Sequence, residues 1–117
     1  MTRHSDDVYL RHMRDHTAEA MEMLGEIPRD QLASRRTVQL AILHLVGIVG
    51  EAANRVSAET RSKIPKVPWR DIIGMRNRII HGYDTIDTAM LWDTVKEDLP
   101  LLAAALNDCL DGADPRS

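Results

Sequence analysis

The chain has 117 residues, enough for one domain with one core, and carries a formal net charge of −3. Phe is absent and there are only two Tyr and two Trp, so Leu, Ile, Val, Ala and Met must fill the interior, which suits packed helices better than a β-sandwich. The single cysteine, Cys109, excludes an intramolecular disulfide and a Cys-rich zinc site, and the net acidity excludes a protein whose whole surface is a basic nucleic-acid binder. The opening residues are polar and lack the apolar run of a signal peptide. The longest apolar stretch, Leu40 to Val49, is interrupted by His44 and is too short to span a bilayer. The expectation is a soluble cytoplasmic protein with no membrane partner, residues 1–117 forming a single domain and 113–117 a loose tail.

The first helix is expected from about Asp6 to Leu24, with Ser5 as N-cap and Asp6 and Asp7 at the positive end of the helix dipole. Leu10, Met13, Thr17, Ala20 and Leu24 recur at three- and four-residue steps as one buried stripe, and Gly25 and Pro28 end the helix. His12 and His16 have the four-residue spacing of a helical metal site. The zinc-protease pattern needs a glutamate after the first histidine, and Met13 stands there, so solvated histidines are the reading.

The second helix is expected from Gln31 or Arg35 to about Glu59. Its middle, Val38 to Ala53, is apolar almost all round, marking the central helix. Gly47 and Gly50 cost roughly 1 kcal/mol each in helix propensity, which points to close approach of another backbone. His44, Gly47, Glu51, Asn54 and Ala58 fall on one side, and an ionised Glu51 in such surroundings calls for a partner.

A loop follows from Arg61 to Val67, broken by Pro65 and Pro68. A third helix then opens near Pro68 and runs to about Ile80 or His81, with Gly82 as a left-handed terminator. Trp69, Ile72, Ile73, Ile79 and Ile80 define its apolar face, and Arg76 projects near the middle of that face, where Glu51 or Asn54 could match its charge. Two readings stay open: an Arg–Glu pair that only sets helix register, or a functional arginine. Positions five apart on a helix diverge by about 140°. Arg76 and His81 therefore meet only if the helix ends near His81 or a second copy completes the site. The fourth helix starts at Asp87 as N-cap, with Ile86 and Leu91 as a hydrophobic staple. Its stripe is Leu91, Val95, Leu99, Leu102, Leu106 and Leu110, with a kink or break expected at Pro100 and an end at Gly112. Cys109 reads as packing filler.

Charge is unevenly spread. Residues 61–83 carry six basic side chains and one acid, whereas eight acids face two bases from Asp84 onward. The basic segment is either a local phosphate-binding patch or the electrostatic partner of the acidic one. There is no phosphate-cradling glycine loop, no Gly-x-Ser-x-Gly elbow and no carboxylate pair suited to glycoside chemistry.

The run from Ile64 to Tyr83, Ile-Pro-x-x-Pro-Trp-Arg-Asp-Ile-Ile-Gly-Met-Arg-Asn-Arg-Ile-Ile-His-Gly-Tyr, resembles the signature of the HepT-like toxins, a branch of the HEPN superfamily of helical ribonucleases. Trp92–Pro100, Tyr9-Leu10-Arg11 and Val49–Ala53 extend the likeness over nearly the whole chain. The resemblance implies an all-α, up-down bundle of four to five helices that forms a homodimer, with the motif helices at a shared cleft. It implies metal-independent, cofactor-free RNA cleavage in which the 2′-hydroxyl attacks the adjacent phosphate and leaves a cyclic phosphate. Arg76 and His81 would be catalytic: His81 as proton acceptor or donor, histidine having an ordinary pKa of about 6.5, and Arg76 as a planar cation on phosphate oxygens. By position, Asn77 would orient the phosphate or His81, Arg78 would bind RNA backbone, and Glu51 and Asn54 would support Arg76. The resemblance further implies a type II/VII-like toxin–antitoxin pair whose partner is a minimal nucleotidyltransferase antitoxin that transfers AMP to Tyr83. The alternative is a non-catalytic helical module that binds nucleotide or docks a nucleotidyltransferase.

Overall fold

The computed structural model describes residues 2–83 and 85–113. It is all-α, apart from one two-residue ladder. Helix α1 spans Thr2–Leu24, a 3₁₀ turn Arg29–Ser34, α2 Arg36–Arg55, and α3 Ala58–Ser62. Then come α4 Trp69–Ile73, α5 Met75–Ile79, strand β1 Ile80–His81 and strand β2 Thr85–Ile86. A final continuous rod comprises α6 Thr88–Asp93, a π-helical turn Thr94–Asp98 and α7 Leu99–Ala113. The 114–117 tail lies outside the described residues.

The stripe on α1 is buried as expected (Leu10, Met13, Thr17, Ala20, Leu24), and Gly25 takes a positive φ of 52° at its end. Helix α2 is central: it packs along α1 and also touches α4, α5 and α6, while α7 closes the other side of α1. By length and composition α2 could cross a membrane. Here Ile42, Val46, Val49 and Ala53 are fully buried in the bundle. The last rod buries Leu91, Val95, Leu99, Leu102, Leu106 and Leu110, and Ile86 packs at its start as the staple requires.

Several expected boundaries move for identifiable reasons. Ser5 does not cap α1, because the helix begins earlier. Asp6 instead is buried and accepts hydrogen bonds from the Ser57 N–H (3.0 Å), the Ser57 hydroxyl (2.6 Å) and the Thr60 hydroxyl. Desolvation raises its pKa, but these donors together outweigh it and hold the carboxyl below its ordinary value. The second helix stops at Arg55, not near Glu59, because Ser57 turns extended and caps α3 through the Thr60 N–H. The Arg61 guanidinium then donates to the Val56, Ala53 and Asn54 carbonyls at the end of α2 and lies over the Trp69 ring.

The third expected helix is two short ones broken at Gly74, and it ends at Ile79, where Ile80 becomes extended (φ −92°, ψ 126°). Pro100 does not break the rod: the helix runs on through it, with a π turn at Thr94–Asp98 just upstream. Gly112 lies within α7 and does not end it.

Candidate functional site

The site is built where α2 meets α4 and α5. A β-carbon added to Gly50 would lie 3.2 Å from the Ile72 carbonyl oxygen and 3.3 Å from that of Ile73. The bare glycine thus admits the backbone of α4, as its cost in propensity led one to expect. One turn earlier, a β-carbon on Gly47 would lie 3.1 Å from Arg76 Cδ. The stem of Arg76 therefore rests on the glycine surface of α2.

Arg76 is exposed, not set in the middle of an apolar face, because the break at Gly74 resets the helical phase between Ile73 and Met75. It lines a groove of about 550 Å³ with Leu40, Leu43, His44, Gly47, Ile48 and Glu51. A smaller cleft of about 180 Å³ shares Gly47, Glu51 and Arg76 and adds Gly50, Asn54, Ile73 and Asn77. Arg76, Asn77, Glu51 and Asn54 are thus brought together as a polar wall. Glu51 is itself exposed and forms no ion pair with Arg76, so water solvates the carboxylate that was expected to need a partner. Among the described residues Arg76 has no anionic partner.

Arg78 is not part of this wall. Two positions along α5 turn it about 200° from Arg76, into a different cleft of about 320 Å³ with Arg29, Asp87, Met90, Asp93 and Asp98. The basic segment is divided in its use. Arg61 serves the α2 carbonyls and Lys63 pairs with Glu59, while Lys66, Arg70, Arg76 and Arg78 make no ion pair among the described residues.

His81 leaves the helix altogether. Strand β1 pairs antiparallel with β2, Ile80 opposite Ile86 and His81 opposite Thr85, and Gly82 turns the chain at φ 65°. In such a ladder the residue two beyond the cross-strand partner lies diagonally on the same face. For His81 that residue is Asp87, whose N–H donates to the Ile79 carbonyl at 2.8 Å and extends the pairing. The His81 Nε2 lies 3.1 Å from Asp87 Oδ2. The other oxygen, Oδ1, accepts from the Met90 N–H at 2.9 Å as the cap of α6. The Met90 N–H and then His81 hold the Asp87 carboxyl below its ordinary pKa. Sequence reading found the cap but missed the contact with His81. The signal available was an aspartate six residues after the histidine across a glycine turn. Tyr83 stands in that turn at 102% relative exposure, open on all sides.

His12 is exposed and His16 half-buried, its Nδ1 2.7 Å from the His12 carbonyl oxygen. Among the described residues no three His, Cys, Asp or Glu side chains are placed to hold a metal ion. Cys109 is half-buried against the core, and burial pushes its thiol pKa up, which suits packing rather than reactivity.

The chain is 38% identical over 90 residues to a Thermococcus cleftensis protein named "Probable ribonuclease HepT", covering 73% of this chain and 81% of that one. It is 30% identical over 100 residues to the Methanocaldococcus jannaschii "Putative RNase MJ1380", covering 86% and 92%. A Caldanaerobacter subterraneus protein named "Putative RNase TTE0752" is 28% identical over 102 residues, covering 87% and 91%. No solved structure gave a significant match. The family profile described as Ribonuclease HepT-like matches residues 13–108, which include the Arg76 groove, the His81–Asp87 pair and Tyr83. On that match and the identity to the Thermococcus cleftensis protein, the chain belongs to the HepT-like ribonuclease family of the HEPN superfamily.

Proposed function

We propose that the protein is the ribonuclease toxin of a toxin–antitoxin pair and cleaves RNA without a metal ion. The observation that carries this reading is Arg76: a guanidinium with no anionic partner among the described residues, resting over Gly47 on the wall of an open groove, five residues before an exposed histidine. A permanent cation left unpaired beside a carboxylate it could have engaged suits an anionic ligand such as phosphate. The 2′-hydroxyl attacks the adjacent phosphorus, the O2′–P bond forms and the P–O5′ bond breaks. Arg76 stabilises the charge on the non-bridging oxygens. His81 takes the 2′-hydroxyl proton and returns it to the leaving 5′-oxygen.

Asn77, on the Arg76 wall, orients the phosphate, and Arg78, on the opposite side of α5, contacts RNA backbone. The half-exposed Leu40 on the groove rim supports a homodimer in which a second copy covers α2 and brings its own motif to the cleft. Full exposure of Tyr83 supports its use as the acceptor of AMP from a minimal nucleotidyltransferase antitoxin, which would set a bulky anion two residues from His81 and repel RNA. The setting is cytoplasmic.

The test is cleavage of RNA by the purified protein in EDTA. Cyclic-phosphate ends are expected, with resistance where the scissile nucleotide is 2′-deoxy. Arg76→Ala and His81→Ala should each lose most of the activity. Wild-type rates in both variants would refute the assignment, and nucleotide binding without RNA turnover by the wild type would favour the non-catalytic docking module.

A further inference from the structure

The least expected polar contact of the site is the one between His81 and Asp87, and it rests on the reading of His81 as the proton-transfer group. An ionised carboxylate only accepts hydrogen bonds, so the ring nitrogen facing Asp87 Oδ2 must carry its proton. That nitrogen is Nε2, which leaves Nδ1 of the neutral ring as the lone-pair nitrogen available to substrate. Asp87 is itself held at two points: its backbone N–H donates to the Ile79 carbonyl at 2.8 Å, extending the ladder, and its Oδ1 caps α6 through the Met90 N–H at 2.9 Å.

We propose that Asp87 is the positioning residue of His81: it fixes the ring's orientation and tautomer so that Nδ1 receives the 2′-hydroxyl proton, and it stabilises the imidazolium formed until that proton passes to the 5′-oxygen. The other charged groups that share its cleft are Arg78 from α5, Arg29 from the 3₁₀ turn, Asp93 from α6 and Asp98 from the π turn. Arg29 is engaged by Asp93 through two bonds of 2.9 and 3.0 Å, so their charges largely cancel there and His81 is the cation Asp87 touches directly. Three features of the fold converge on this contact: the ladder register, the Gly82 turn and the helix cap.

Asp87→Asn and Asp87→Ser separate the cap from the histidine contact, because Asn and Ser are both good N-caps and neither supplies a carboxylate. Both variants should fold, with kcat for RNA cleavage reduced about tenfold or more at neutral pH and KM little changed. The ¹⁵N ring signals of neutral His81 should shift toward a mixture of tautomers, a readout of the contact whether or not the protein cleaves RNA. A folded Asp87→Asn variant with wild-type kcat, or one whose His81 ring ¹⁵N signals are unchanged, would overturn the role of Asp87 while leaving the ribonuclease assignment standing. Wild-type cleavage by His81→Ala would remove His81 from proton transfer and the proposal with it, whereas no RNA cleavage by the wild type would sink the ribonuclease reading and leave the ring contact to the NMR readout.

Discussion

Gly47 and Gly50 lie one turn apart on α2 and face the same segment, yet alanine should act oppositely at the two positions. At Gly50 the new methyl would lie 3.2 and 3.3 Å from two carbonyl oxygens of α4, backbone atoms that cannot rotate away. Overpacking of this kind costs roughly 1–3 kcal/mol, against a propensity gain of about 1 kcal/mol for replacing a mid-helix glycine. The net expectation is a loss of about 1 kcal/mol, or about 4 °C in Tm for a domain of this size.

At Gly47 the nearest atoms are Arg76 Cδ at 3.1 Å and Nε at 3.6 Å, which belong to a flexible side chain. That chain swings aside, so stability should hold or rise by up to about 1 kcal/mol. The guanidinium is displaced, however, and RNA cleavage should fall about ten- to a hundredfold. Thermal or urea unfolding followed by circular dichroism, run beside cleavage rates for both variants, separates the two effects. A Gly50→Ala protein as stable as wild type would refute the close-approach argument. Full cleavage by Gly47→Ala would show that the seat of Arg76 on α2 is irrelevant to catalysis.

Other outcomes follow from single contacts. Asp6→Ala strands three donors at the α2–α3 junction and should cost about 2 kcal/mol in urea unfolding. Because the folded pKa of Asp6 is lowered, its contribution is present above the ordinary carboxylate range and is lost as pH falls through the folded value. Wild type should therefore lose stability more steeply than the variant on acidification below about pH 4. Thr17 buries a hydroxyl that has no hydrogen-bond partner among the described residues, so Thr17→Val should raise stability by about 1 kcal/mol in the same measurement. Tyr83→Phe removes a hydroxyl that touches only solvent. Cleavage and Tm should be unchanged, and mass spectrometry tests the proposed AMP transfer: with a nucleotidyltransferase antitoxin and ATP, wild type should gain AMP and the variant none.

What could be read along the chain was whatever depends on neighbours one or two turns away. The stripes of α1 and the last rod, the turn at Gly25 and the Asp87 cap are such features, because helical period and capping chemistry are local. Glycines 47 and 50 announced a close approach without saying of what. The features that escaped reading are contacts between distant segments. Asp6 was assigned to a helix dipole because nothing near it in sequence reveals Ser57 and Thr60. Arg61 was counted in a basic patch because its role as cap of a helix six residues back depends on a reversal of the chain. At Arg76 and His81 the difficulty comes from assuming one continuous helix: α5 ends at Ile79, and the ladder carries His81 to Asp87, whose cleft holds Arg78 and not Arg76.

The π turn at Thr94–Asp98 has a geometric consequence for the whole rod. From Leu91 to Leu110 the large buried apolar residues (Leu91, Val95, Leu99, Leu102, Leu106 and Leu110) advance by four, four, three, four and four residues, a mean step longer than the 3.6 of an α-helix. On an unbroken α-helix those nineteen positions would let the apolar stripe wander by about 100° around the axis, carrying Leu106 and Leu110 out of the core they occupy. A stretch with more residues per turn corrects an excess of that sign. The π turn works as a vernier: it realigns the end of the rod with its beginning, so a single seam of large apolar residues holds α6 against the 3₁₀ turn and α7 against α1.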